Sequence, residues 1–141
     1  MGAVAFLAGA ARQVENVKFA VSDRFIENGQ PALWEIRAIT PKEDEKLRKG
    51  CVVPRPVPGR RNMFSYETDM DTYLGKLAAA CTVYPNLHDA ELQESYGVLS
   101  AEDLLKAMLT MGEYNDYIWR IQEINGQEKT LQEKVDEAKN S

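Results

Sequence analysis

Chemistry-bearing residues are scarce in this chain of 141 residues, which has one histidine, His88, and two cysteines, Cys51 and Cys81. A structural zinc site needs about four nitrogen or sulfur ligands, usually in short-spaced pairs. Two cysteines thirty positions apart and a lone histidine do not supply them. Nor do two cysteines make a secreted disulfide framework. The nine glycines form neither a phosphate loop nor a dinucleotide fingerprint. No apolar run approaches the roughly 18–20 residues of a membrane span. The opening Met1-Gly2-Ala3-Val4-Ala5-Phe6-Leu7-Ala8-Gly9-Ala10 has the look of a signal peptide, but it lacks a basic n-region and its apolar run is short. A reducing cytoplasm is the expected setting.

Basic charge is also in short supply. Seventeen Lys and Arg against 22 Asp and Glu leave a formal net charge of -5. Phosphate binding needs a basic footprint, so a dominant nucleic-acid role is not expected. The balance is uneven, because Lys46, Arg48, Lys49, Arg55, Arg60 and Arg61 follow one another with no acid among them. A chain of this length is about one domain, large enough for a core without staples. The single domain 1–141 divides into an N-terminal segment (1–12), a hairpin (14–40), a Pro/Arg-rich arm (51–62), a helical half (69–126) and a tail (127–141).

The predicted fold class is α+β, with an N-terminal antiparallel β-hairpin packed against a mainly helical C-terminal half. Val17, Phe19 and Val21 alternate with polar or small neighbours, as do Trp34, Ile36 and Ala38. Glu27-Asn28-Gly29-Gln30-Pro31 between them is a turn signal within a longish loop. A lone hairpin is marginal in water and needs helical cover. Thr40-Pro41-Lys42-Glu43 opens a short helix through a capping box, and Gly50 ends it where a left-handed residue is wanted. Pro54, Pro56, Pro58 and Gly59 make 51–62 an exposed extended arm, excluded from helix and central strand. Its simplest reading is a solvated loop.

A helix over 69–83 carries the stripe Met70, Tyr73, Leu74, Leu77 and Cys81. Pro85 makes Tyr84 an endpoint. A brief helix from Asp89 to Ser95 closes at Gly97. The next runs from Ser100 or Ala101 to Thr110 with Leu104, Leu105, Met108 and Leu109 on its apolar face, and Met111-Gly112 breaks it. The last, 113–125, shows Tyr114, Tyr117, Ile118, Ile121 and Ile124 on one side, with Trp119 nearly opposite. The tail 127–141 is charged and only weakly amphipathic.

No catalytic cluster emerges. Asp69-Met70-Asp71 starts like a calcium loop, but Tyr73 replaces an oxygen ligand and Gly75 falls one position late. A Cys81/His88 nucleophile pair is disfavoured because Cys81 lies on an apolar helical face, while His88 is expected exposed. Scattered carboxylates read as solvated helix faces. A non-enzymatic protein that works by contact, with no cofactor and no metal, is the expectation. Trp119 is the leading candidate for protein binding, with Met111 and Tyr114 beside it; the alternative for Trp119 is cover by the hairpin or the N-terminal segment. Met108 reads as core.

Several runs then carry a resemblance. They are Tyr73-Leu74-Gly75-Lys76-Leu77, Tyr84-Pro85-Asn86-Leu87-His88-Asp89-Ala90-Glu91-Leu92-Gln93-Glu94-Ser95-Tyr96-Gly97-Val98, Leu104-Leu105, Gly112-Glu113-Tyr114 and Ile124-Asn125-Gly126. Together with Val21-Ser22-Asp23-Arg24-Phe25, the segment from Trp34 to Thr40 and Phe6-Leu7-Ala8, they resemble the XkdN-like phage tail assembly chaperones. The arm 51–62 matches least. The resemblance implies a non-enzymatic phage or prophage protein acting in the host cytoplasm during tail morphogenesis and absent from the mature virion. Its implied partners are the tape-measure protein, whose hydrophobic helices it keeps from aggregating, and the tail-tube protein. Self-association stays open. The competing readings are a structural tail protein retained in the virion and, on the basic arm alone, a small nucleic-acid regulator. The resemblance also raises a frameshifted longer form, since Ala138-Lys139-Asn140 can be encoded by a slippery heptamer.

Overall fold

The computed structural model describes residues 2–127. The tail expected over 127–141 lies, from 128 onward, outside the described residues.

Strand β1 (Val17–Ala20) pairs antiparallel with β4 (Leu33–Ile36), bringing Phe19 opposite Trp34 and Val17 opposite Ile36. Period-two alternation decides what is buried, since Trp34 and Ile36 are 1% exposed while Leu33 points outward. The loop between them folds into a second small ladder, β2 (Ile26–Glu27) with β3 (Gln30–Pro31). Asn28 (φ 52°) and Gly29 (φ 78°) make its two-residue turn, where both central residues need positive φ.

Helix α1 (Pro41–Lys49) begins with the expected capping box, in which Thr40 Oγ1 accepts from the Glu43 amide and Glu43 Oε1 accepts from the Thr40 amide. Gly50 departs from expectation. Its φ of -77° is right-handed, so no left-handed cap closes this helix. Helix α2 (Met70–Cys81) is shorter than the predicted 69–83, and Thr82–Tyr84 forms strand β7 against β4. Thr82 and Val83 are β-branched, and the residue before Pro85 is pushed to extended backbone, so the chain leaves the helix early. The Thr82 hydroxyl donates to the Ala78 carbonyl at 2.7 Å and caps the exit. The resulting three-stranded sheet has the order β1-β4-β7. The helical half thus contributes a strand to the hairpin it covers.

The arm is also a correction. Val52–Pro56 (β5) and Phe64–Thr68 (β6) form an antiparallel ribbon rather than a solvated loop. The prolines permit it by alternation. Val57 donates its amide to the Met63 carbonyl, so the odd-numbered residues of β5 hydrogen-bond to β6 while Pro54 and Pro56 turn their missing donor outward, and Pro58 lies in the turn beyond. Cys51, at the root, is buried, and its carbonyl accepts from the Asp69 amide at 2.8 Å.

Helices α3 (Ala90–Ser95), α4 (Ala101–Met108) and α5 (Met111–Ile124) follow. Ser100 caps α4 as expected, and Asp89 caps α3 by accepting from the Glu91 and Leu92 amides. Met111-Gly112 does not separate α4 from α5 as expected. Thr110 caps α5 in a capping box with Glu113, which places Met111 and Gly112 in the first helical turn. The core joins Trp34 and Ile36 to Tyr73, Leu77, Cys81, Leu104, Leu105, Tyr117 and Ile121. Each fully buried large apolar side chain contributes about 1.5–3 kcal/mol. Met70, assigned to the α2 stripe, is instead 50% exposed.

Candidate protein-contact site

Helix α5 carries all three residues expected to touch a partner, but it does not bring them together. Tyr114 and Trp119 lie about 140° apart around the helix at 3.6 residues per turn. Trp119, 36% exposed, faces a groove of about 520 Å³ between α5 and β1. Phe19 and Val21 floor that groove, and Glu113, Asp116, Arg120 and Glu123 surround it. The Arg120 guanidinium lies 4.8 Å from the Phe19 ring centre. Tyr117 holds the floor from below, its ring 5.2 Å from Trp34. Tyr114 is half-buried in a separate recess with Leu74, Lys106 and Ile118, and burial raises its phenol pKa. Met111 is 82% exposed at the start of α5.

A third surface escaped the sequence. A groove of about 370 Å³ is lined chiefly by Phe25, Ile26, Tyr84, Pro85, Leu92 and Met108. These residues lie in or next to β2, β7, α3 and α4, with Phe25 just before β2 and Pro85 just after β7, so no local periodicity marks them. Ile26 and Tyr84 stand well exposed on it. The Tyr84 hydroxyl donates to the Glu27 carboxylate, which raises the tyrosine pKa.

Arg24 fixes one end of this groove. Its Nη2 donates to the Met108 carbonyl at 2.8 Å and its Nε to Glu113 Oε2 at 3.3 Å. Hydrogen bonding from Arg24, aided by Ser22 and Thr110, lowers the Glu113 pKa to about 2.

The profile of the phage XkdN-like tail assembly chaperone family matches residues 4–139. The chain belongs to this family. It is 30% identical over 137 residues to the uncharacterized protein YqbN of Bacillus subtilis strain 168, covering 96% of this chain and 91% of that one. To the phage-like element PBSX protein XkdN of the same strain it is 28% identical, with the same coverage. The crystal structure of YqbN superposes with a TM-score of 0.74 at 26% identity, covering 89% of this chain and 97% of the other.

Cys81 is fully buried, its thiol pKa raised by that burial, and its sulfur accepts from Asn125 Nδ2. His88 is exposed in the loop before α3. Among the described residues no group of three or more His, Cys, Asp or Glu could hold a metal, and no helix is long and apolar enough to cross a membrane. No buried side-chain polar atom among them lacks a partner.

Proposed function

We propose that this chain acts, without catalysing a reaction, as a tail assembly chaperone that holds the hydrophobic helices of a phage tape-measure protein in the host cytoplasm. It then helps tail-tube subunits gather on that protein and leaves before the particle is complete. The family match across residues 4–139 carries this reading. The groove bounded by Phe25, Ile26, Pro85 and Leu92 is the surface we assign to the tape-measure helix. Its apolar walls suit an amphipathic helix laid into a groove, with Met108 as an adaptable floor.

Co-expression with the cognate tape-measure protein tests the reading. The tape-measure protein is expected in the soluble fraction with the wild-type chain and in the pellet with Ile26→Asp. Ile26 is 60% exposed, so the charge leaves the fold in place. No gain in solubility with the wild-type chain removes the chaperone role. Mass spectrometry of purified tails separates it from a structural component, because a chaperone is expected to be missing from them.

A further inference from the structure

Among the described residues, the β5–β6 ribbon leaves its outer side chains open. Its most extensive contacts among the described residues are between its own two strands. Phe64 is 55% exposed and Tyr66 73%, with Met63 and Val52 also open. A two-stranded ribbon is marginal in water by itself. An exposed apolar ribbon is also a surface that a partner can cover.

Its charge narrows the partner. Arg55, Arg60 and Arg61 against Glu67 give residues 52–68 a charge of +2, so the other residues together carry -7 of the chain's net -5. The groove beside Trp119 has the complementary make-up. Phe19, Val21 and Trp119 supply apolar surface, while Glu113, Asp116 and Glu123 outnumber Arg120. Arg24 pairs with Glu113, which leaves Asp116 and Glu123 as exposed carboxylates on the groove.

We propose that the β5–β6 ribbon docks into the Trp119 groove of a second copy of this chain, with Phe64 and Tyr66 against the apolar floor and Arg60 and Arg61 against Asp116 and Glu123. A chain presenting both ribbon and groove can join a copy at each. The interaction is therefore either reciprocal, giving a closed dimer, or head to tail, giving a larger assembly. Opposite charges at the rim make it sensitive to salt. The surface is separate from the Phe25–Leu92 groove assigned to the tape-measure helix.

Light scattering after size exclusion tests this with the full chain at low and high salt. The wild type is expected at the mass of a dimer or larger at low salt, with a lower mass at high salt. Arg60→Glu/Arg61→Glu and Asp116→Lys/Glu123→Lys are each expected at the mass of one chain. Mixing the two variants is expected to restore a complex, since each retains the half that the other lacks; that recovery also shows both are folded. A wild type that stays monomeric overturns the proposal. So does a ribbon variant that keeps the wild-type mass, or a mixture of the two variants that fails to associate. If the ribbon variant keeps that mass but loses the tape-measure protein or a DNA duplex, the ribbon serves that partner and not a second copy.

Discussion

Arg24 and Glu113, 89 positions apart, form a two-point ion pair that ties the hairpin to the corner between α4 and α5. The same guanidinium holds the last carbonyl of α4, at Met108, while Glu113 also closes the α5 capping box by accepting from the Thr110 amide at 2.9 Å. One arginine thus satisfies a helix C-terminus and orients the residue that caps the next helix.

This pair sets a pH dependence. Arg24 holds the Glu113 pKa at about 2, below the ordinary glutamate value. A depressed folded-state pKa contributes stability that is complete above the unfolded value of about 4.3 and is lost as pH falls through the folded one. Thermal melts from about pH 5 down to about pH 2 are expected to drop more steeply for the wild type than for Glu113→Gln. Parallel profiles would assign the acid sensitivity to other carboxylates.

Asn125 performs a comparable long-range task. Its Oδ1 accepts from the Ile39 amide at 2.9 Å, and its Nδ2 donates to the Ile121 carbonyl at 2.8 Å and to Cys81 Sγ. It thereby joins the end of α5 to the segment before α1. Asn125→Ala leaves the Ile39 amide without this acceptor and is expected to cost about 1–3 kcal/mol in urea unfolding, towards the lower end because the site is only part-buried. An unchanged midpoint would mean that water replaces the side chain at no cost.

How far such features could be read in advance depends on how local they are. The Thr40–Glu43 capping box, the Ser100 cap and the buried alternation of Trp34 and Ile36 involve residues within one turn or one strand, and each was legible. The exit of Thr82–Tyr84 into β7 was not, because helical periodicity through Cys81 masks a strand whose partner lies more than forty positions earlier. The β5–β6 ribbon was hidden for a different reason. Prolines argue against strands, and only their regular alternation lets an edge accept them. Helical spacing put Trp119 opposite the apolar stripe and left open whether the hairpin covers it; the 36% exposure beside Phe19 and Val21 depends on β1, which that spacing does not contain. The Phe25–Leu92 groove is assembled from four segments and leaves no mark in any one of them.

Gly75 lies inside α2 and is buried, yet a Cβ there would meet its nearest neighbour, Tyr114 Oη, at 3.5 Å, an ordinary contact. Helical glycine is less favourable than alanine by about 0.5–1 kcal/mol, chiefly through backbone entropy. Gly75→Ala is therefore expected to stabilise the chain by roughly that amount, read as a higher unfolding midpoint. A lower midpoint would show that the Tyr114 recess has no room to accept the methyl group.

The two tryptophans give opposite expectations under the same substitution. Trp34 is 1% exposed at the centre of the core, so Trp34→Ala is expected to cost about 3–5 kcal/mol, as other large-to-small core changes do. Trp119 is 36% exposed on the wall of the α5–β1 groove, and Trp119→Ala is expected to stay within about 1 kcal/mol of the wild type. Its effect should fall instead on association, lowering the mass measured by light scattering while solubilisation of the tape-measure protein is unchanged. Urea unfolding and light scattering on the same samples separate these outcomes. If Trp119→Ala destabilises as much as Trp34→Ala, the residue is holding α5 against β1, and the groove beside it loses its main apolar contact.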